Sequence, residues 1–258
     1  MSESVFERYS AYYDLLYKDK DYVAEAAYIA TALRGKNRGV RKVLEFGSGT
    51  GRHGRLLAQE GFDVFGVERS SAMVRVAHGT LMASSGTVGS FDCMEGDIRT
   101  VHVDGKFDAV ISLFHVVSYQ TGNRDVLQTF ANAARHLPQN GIFLFDVWHG
   151  PAVLLERPSV RIKRVEDDYT RLTRIAEPVL DTDASTVTVR YTIFAESKAD
   201  GRFTTFDEEH RVRYFFPREI EFIAAQSGFT LERSEEFLTG KEPSENSWGV
   251  AYLLRKTG

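Results

Sequence analysis

Short apolar runs alternate with amphipathic stretches through the first half of the chain. Residues 42–46 (KVLEF), 63–67 (DVFGV), 107–114 (FDAVISLF) and 142–145 (IFLF) read as buried strands, and 91–94 as a weaker one. Between them, 49–60, 71–78 and 125–137 carry apolar residues at helical spacing. Gly61 ends the first, and Pro138 with Gly141 ends the third. Repeated strand–helix alternation predicts a parallel sheet with helices on both faces. The rhythm changes after Trp148. Val187, Val189, Tyr191 and Ile193 fall on one side, Thr188, Arg190, Thr192 and Phe194 on the other, and Val212 and Tyr214 repeat the theme. Such strands suit a small antiparallel sheet with one face open to water, inserted as a cap. The core pattern resumes with Pro217 at a first helical position, then Ile220, Phe222, Ile223 and a stop at Gly228. Residues 229–233 and 250–254 predict a final antiparallel pair.

The chain opens on a different pattern. Phe6, Tyr9, Tyr12, Tyr13, Leu16 and Tyr17 recur at spacings of three and four, which is one helical face rich in tyrosine. It predicts a helix that packs on the core or closes over it as a lid, since Tyr combines apolar area with a hydroxyl.

Composition narrows the classes. With 258 residues, 43% hydrophobic and a net charge of −4, the chain is too apolar and too weakly charged for disorder. The absence of a basic block argues against nucleic acid as partner. A lone Cys93, expected as a small core hydrophobe, leaves no disulfide framework and no cysteine-based zinc cluster. No apolar stretch approaches the ~18 residues of a membrane span. The first nine residues, carrying Glu3 and Glu7, do not look like a secretory signal, so a cytoplasmic protein is expected. His53, His78, His102, His136 and His210 share no metal-ligand spacing and are expected at the surface, with no metal.

The most informative segment is 43–51, VLEFGSGTG. A strand runs into glycines at 47, 49 and 51 and then a helix, so the backbone can approach a ligand closely. Dinucleotide binding wants G-x-G-x-x-G, whereas the spacing here is G-x-G-x-G, preceded by Glu45. A carboxylate there repels a pyrophosphate and suits a ligand with an amino group. Glu68 ends the second strand, where an acid can accept both hydroxyls of a ribose. Asp97 and Ile98 follow the third strand, where Asp97 can accept from an exocyclic amino group with Ile98 beside the ring.

With this ordered set, and with 107–110 (FDAV) following, the sequence resembles the class I S-adenosylmethionine-dependent methyltransferases. The resemblance is close from about 40 to 149. It implies an α/β fold, a Rossmann-like doubly wound seven-stranded mostly parallel sheet with an inserted antiparallel β cap. The divisions it suggests are an N-terminal helical lid (1–34), a cofactor-binding core (35–149), the cap (150–216) and the last helix and strands (217–258). It implies S-adenosyl-L-methionine as cofactor, with Glu45, Gly47, Ser48, Gly49 and Gly51 at the methionine part. Glu68 then belongs to the ribose and Asp97 with Ile98 to adenine, and Arg69, Leu113 and Phe114 are also expected to bind the cofactor.

A narrower resemblance lies at Tyr13-Asp14-Leu15-Leu16-Tyr17, with Asp21, Tyr22 and Glu25, and at 215–220 (FFPREI). These are similar to the nucleotide-sugar amino-methyltransferases of the desosamine and mycaminose type, and to relatives from surface-polysaccharide assembly. The chain departs from that group in three places. Asp146-Val147-Trp148-His149 stands where it has a Glu-Pro-Trp-Trp type segment. Tyr119 replaces a histidine after the fourth strand, and His115 and Val116 replace serines. The resemblance implies N-methylation of a small-molecule sugar, a nucleotide-linked amino sugar, with O-methylation of a sugar hydroxyl as the alternative. The substrate residues would be Tyr13, Tyr17, Tyr119, Asp146, Trp148 and His149.

Methyl transfer from a sulfonium leaves a neutral product, so alignment and exclusion of water supply most of the acceleration. A hydroxyl acceptor would need a base. His115 is the first candidate and His149 the second, with Tyr13 and Tyr119 orienting the acceptor. His115 can equally be a loop histidine stacked on adenine or bonded to a backbone carbonyl. A nicotinamide dehydrogenase and an aminopropyl transferase fit less well, the first for its glycine spacing, the second for want of acidic residues. A pair of cap strands is available as a homodimer contact.

Overall fold

The computed structural model describes residues 9–36, 39–81 and 88–258; Phe6, expected on the tyrosine face, lies outside them. In chain order the elements are α1 (Ser10–Leu16), α2 (Tyr22–Lys36), β1 (Lys42–Phe46), α3 (Arg52–Gln59), β2 (Asp63–Glu68), α4 (Ser71–Leu81), β3 (Ser90–Glu95) and β4 (Ala109–Ser112). A 3₁₀ turn (Val116–Tyr119) follows, then α5 (Asn123–His136), β5 (Ile142–His149), α6 (Gly150–Leu155), β6 (Arg161–Glu166), β7 (Thr170–Asp181), β8 (Thr186–Ser197) and β9 (Phe203–Phe215). The chain ends in α7 (Pro217–Gln226), β10 (Phe229–Glu236) and β11 (Gly249–Lys256).

The main sheet runs β3-β2-β1-β4-β5-β11-β10, with β1 to β5 parallel and β11 antiparallel to both neighbours. This is the doubly wound sheet expected. Alternate side chains divide between its two faces. Leu44, Val110, Phe143 and Phe145 enter the core under α5 and α7. Val43, Ile111 and Leu144 enter the core under α2, α3 and α4. A strand buried on both faces reads as a continuous apolar run, which is why these strands were visible.

β6 to β9 form an antiparallel sheet in sequence order. Among the described residues it pairs with the main sheet at the tip of β9, where Tyr214 and Phe215 meet Trp148 and His149 of β5. β11 already holds the other edge of β5 at Trp148, so β9 joins on the β4 side, beyond the end of β4. The cap therefore stands over the C-terminal ends of β4 and β5. Its inner face, with Leu172, Ile193 and Phe206, is covered by Tyr9, Tyr12, Tyr13, Leu16 and Tyr17.

Several boundaries differ from expectation for physical reasons. α3 begins at Arg52 rather than 49, because Gly49 and Gly51 adopt positive φ. β4 stops at Ser112, since Phe114 and His115 both turn left-handed. β5 extends to His149 because β9 and β11 both pair with its end. α6 interrupts the stretch expected to be all strand, with Pro151 in its first turn.

Candidate active site

Gly47, Gly49 and Gly51 have φ of +74°, +55° and +77°. At Gly47 a Cβ would also lie 2.5 Å from the Val116 methyls. The loop thus packs against the turn after β4 with no room for a side chain. Gly47 and Ser48 donate their N–H groups to Val67 O (2.7 and 3.2 Å). Gly49 and Ser70 donate theirs to the two Glu68 oxygens at 2.9 and 2.8 Å. Burial raises the Glu68 pKa, and these backbone donors oppose the rise.

Glu45 is 1% exposed and its Oε2 has no hydrogen-bond partner. Burial, reinforced by Glu68, pushes its pKa up to about 8. His53 Nδ1 stands 4.0 Å away, while His53 Nε2 lies 2.6 Å from Glu25, which also pairs with Lys20. A buried carboxyl with an orphan oxygen beside a glycine loop fits an ammonium group. The Ser48 hydroxyl is likewise buried without a partner.

On the far side of β2, Asp97 is gripped by Arg99 through Nε (2.9 Å), Nη2 (2.5 Å) and the backbone N–H (2.9 Å). Arg99 Nη1 also reaches Asp125 at 2.8 Å. The Arg99 hydrogen bonds hold the Asp97 carboxyl below its usual range. Ile98 is buried beside it, and Arg69 is exposed. Leu113 lies in the core under α2. Phe114 meets Tyr17 edge-on at 5.1 Å and carries the Lys20 ammonium 4.5 Å above its ring.

Phe114 and His115 have φ of +62° and +61°, two strained non-glycine residues in succession. Asp146 holds them. Its Oδ2 accepts the His115 N–H at 3.1 Å and lies 2.7 Å from His115 Nδ1. Burial would raise the Asp146 pKa, but the charge and hydrogen bonds of His115 prevail and lower it. Its Oδ1 is buried without a partner. Trp148 stands edge-on to His115 at 6.4 Å and to Trp248 at 5.9 Å. His149 is 3% exposed, and burial lowers its pKa.

The N-terminal segment adds further contacts. Tyr13 packs on Tyr17 with ring centroids 4.8 Å apart. Arg174 of β7 donates from Nη1 to Tyr9 Oη (2.8 Å) and Tyr17 Oη (3.2 Å), and lies over the Tyr191 ring at 4.6 Å. Asp14 of α1 accepts from the Thr50 hydroxyl at 3.1 Å and pairs with Arg52 at 3.3 Å. The Tyr119 hydroxyl meets His210 Nδ1 at 2.9 Å. Tyr13, Tyr17, Phe114, His115, Asp146 and Trp148 are thus linked by successive contacts into one aromatic and polar cluster, with Tyr119 joined to the cap beside it through His210.

Three of the five histidines expected at the surface are buried instead. His53 pairs with Glu25. His136 donates from Nδ1 to Asn132 O (2.8 Å) and accepts the Val103 N–H at Nε2 (3.0 Å); burial lowers its pKa, and the bond to Asn132 opposes the shift. His210 lies on the inner face of the cap. Residue type alone suggested solvent; each ring instead has two polar partners, which makes burial tolerable. Lys20, Arg99 and Arg174 were missed altogether. Among the described residues, no cluster of three or more His, Cys, Asp or Glu is placed to hold a metal ion.

The family described as Methyltransferase domain matches residues 43–141. The chain carries a class I S-adenosylmethionine-dependent methyltransferase domain. The methyltransferase is 26% identical to YqeM of Bacillus subtilis over 98% of each chain; that protein's name states no acceptor. It is 27% identical to the dTDP-3-amino-3,4,6-trideoxy-alpha-D-glucopyranose N,N-dimethyltransferase of Streptomyces venezuelae, over 89% of this chain and 93% of that one. The sugar N-methyltransferase KedS8 of Streptoalloteichus shares the fold, with a TM-score of 0.82 at 21% identity, over 100% of this chain and 96% of that chain. The fit extends across the cap, so the antiparallel sheet belongs to the shared architecture.

Proposed function

We propose that the methyltransferase methylates the amino nitrogen of a nucleotide-linked amino sugar. The observation that carries this reading is the mixed cluster beyond the ends of β4 and β5, with aromatic groups from Tyr13, Tyr17 and Trp148 and polar groups from His115, Tyr119 and Asp146. A sugar has apolar faces and a polar rim and suits such a cluster. Relatives named as dTDP-amino-sugar N,N-dimethyltransferases, 26 to 27% identical over most of the chain, support it.

Glu45 and the loop 47–51 take the methionine end of the cofactor, Glu68 the ribose, and Asp97 with Ile98 the adenine. The orphan Glu45 oxygen receives the cofactor's ammonium. When bound, S-adenosylmethionine supplies a methyl group on a positively charged sulfur, open to in-line displacement. The chain's own residues then align the acceptor and keep water out. Asp146 holds the turn that carries His115, and its unpaired Oδ1 is available to an acceptor N–H. A sugar hydroxyl is the second reading, favoured by the contact of His115 with a buried carboxylate, a pair able to serve as base.

The test is turnover of a dTDP-linked 3-amino-3,6-dideoxyglucose against its 3-hydroxy counterpart, read by mass and by adenosylhomocysteine release. Methylation at nitrogen is expected, and turnover of the hydroxy sugar alone would replace this reading by the second. Tyr119→Phe and Asp146→Asn should lower kcat/KM for the acceptor while cofactor affinity holds. The same reading places the enzyme in the cytoplasm with its nucleotide-linked substrate. Two copies can pair through the cap's outer face, where Ile162, Val179, Phe194 and Phe203 are exposed; light scattering reads the assembly.

A further inference from the structure

An amine acceptor near neutral pH arrives as an ammonium, and a nearby carboxylate such as Asp146 favours that form. It must lose a proton before nitrogen can attack. A path for that proton starts at Tyr119 and runs into the cap. The Tyr119 hydroxyl lies 2.9 Å from His210 Nδ1, and His210 Nε2 lies 3.0 Å from Glu208 Oε2. Glu208 and His210 sit two residues apart on β9, with the inward parity of Phe206 and Val212. His210 is 3% exposed, which is far from the surface position its residue type suggests.

The polarity of the chain follows from the partners. A carboxylate on Nε2 requires the Nε2–H form, which leaves the Nδ1 lone pair for the Tyr119 O–H. Tyr119 then donates to His210, and a phenol oxygen that donates its proton keeps acceptor character. Tyr119 stands within electrostatic reach of Tyr13, Tyr17 and Glu68, on the side of the lid and the cofactor loop. Among the described residues, the groups facing the imidazole include Glu208 of β9, Tyr119 of the 3₁₀ turn, Tyr191 of β8 (ring centroids 4.9 Å apart) and Tyr9 ahead of α1 (5.6 Å). Arg174 of β7 lies behind Tyr9 and Tyr191. Burial raises all three tyrosine pKa values, Tyr191 to about 12, so of these four groups Glu208 is the anionic one. Glu208 is itself fixed by the Tyr9 N–H on Oε1 at 3.3 Å.

We infer that Tyr119, His210 and Glu208 form the path by which the acceptor ammonium is deprotonated. This rests on the amine reading above. One N–H bond of the ammonium breaks and its proton goes to Tyr119 Oη, while the Tyr119 proton passes to His210 Nδ1. The imidazolium so formed is paired with Glu208. The freed nitrogen lone pair forms the new N–C bond as the C–S bond breaks, the sulfur keeping that electron pair. His210 later returns its proton to solvent. Tyr119 is the group that touches substrate; His210 and Glu208 act through it.

His210→Gln separates proton transfer from positioning. Gln keeps an oxygen for the Tyr119 hydroxyl but is not a base. At pH 7 its kcat should fall by about 100-fold or more, the usual worth of general base catalysis. Acceptor KM and adenosylhomocysteine affinity should hold within about twofold, because the pocket walls remain. The deficit should shrink as pH rises toward the acceptor's own pKa. A His210→Gln enzyme with full kcat at pH 7, or a deficit unchanged by pH, overturns the path. Wild-type turnover of the dTDP-linked amino sugar is the control for the acceptor class; its absence would sink that class and not the path. The path then stands or falls on ¹⁵N NMR of His210 in the intact protein. A neutral Nε2–H ring at pH 7.5, with an Nδ1 signal that moves in Tyr119→Phe, supports it. A cationic or Nδ1–H ring overturns it, whatever the acceptor, and serves equally if His210→Gln fails to fold.

Discussion

Glu45 holds a proton in the folded, cofactor-free protein that the unfolded chain has lost at neutral pH, since burial moves its pKa from 4.5 to about 8. The sign follows from linkage. The stability this group contributes is fully present below pH ~4.5 and is lost as pH rises through about 8. Glu45→Gln should therefore raise the melting temperature of the free protein at pH 8 and leave it unchanged near pH 4. An ammonium seated on Glu45 reverses the cause of the shift and expels the proton. Calorimetry of adenosylhomocysteine binding at pH 7, in two buffers of different ionisation enthalpy, should show net proton release. Binding without proton exchange would mean that Glu45 does not meet the ligand's charge. Glu68 differs, because its oxygens already accept Gly49 and Ser70 N–H groups. Glu68→Ala should weaken cofactor binding by about 1–3 kcal/mol, the cost of lost hydrogen bonds to a charged acceptor. Part of that loss comes from the loosened loop, so Glu68→Gln, which keeps the size but not the charge, should lose less.

At the scale of elements, the glycine loop is shaped by its neighbour as much as by its own φ values. The Cβ of Gly47→Ala would fall 2.5 Å from two Val116 methyls at a φ of +74°. The variant should lose cofactor affinity, and adding Val116→Ala should restore part of it by removing the clash while the backbone strain stays. Full recovery would assign the whole requirement to packing. This contact joins β1 to the turn after β4, and no pattern within either segment announces it. What was legible had periodicity behind it. The parallel strands showed as apolar runs because both faces are buried, and β8 showed by alternation because one face is wet. The same alternation contained a signal left unused. Arg174 shares parity with the buried Leu172 and Ala176, and Glu208 and His210 share it with Phe206 and Val212. Charged residues at inward positions of a cap mark a polar site. α6 was hidden because six residues opening on Gly-Pro lack room for a helical period. His53 was hidden because its partner Glu25 comes from a separate helix, and Lys20 because it lies in the turn ahead of α2, outside any period.

Across the whole molecule, α1 is an element that touches both the glycine loop and the cap. Its Asp14 touches Thr50 and Arg52 at the glycine loop, its buried Leu16 packs on the cap, and Tyr17 just past its end contacts Phe114 and Arg174. The link to the loop is weak, because the Asp14–Arg52 pair is 43% and 33% exposed and such pairs contribute about 0–1 kcal/mol. The link to the cap is apolar and strong, with Tyr9 and Leu16 almost fully buried. A helix firmly seated on one side and loosely latched on the other is suited to respond to what lies beneath it. Cofactor filling the space between Glu45 and Phe114 should tighten the latch and so complete the acceptor wall. Coupling of this kind is reciprocal. Saturating adenosylhomocysteine should raise the affinity for dTDP by some factor, on the order of 5- to 150-fold for typical coupling, and saturating dTDP should raise adenosylhomocysteine affinity by the same factor. Asp14→Ala should shrink that factor while moving the melting temperature little, because the latch carries little of the stability. Hydrogen exchange across residues 10–16 should slow when adenosylhomocysteine binds, and slow less in Asp14→Ala. If either ligand binds equally well with and without the other, α1 is a fixed wall of the acceptor site, and the loop and the cap work independently.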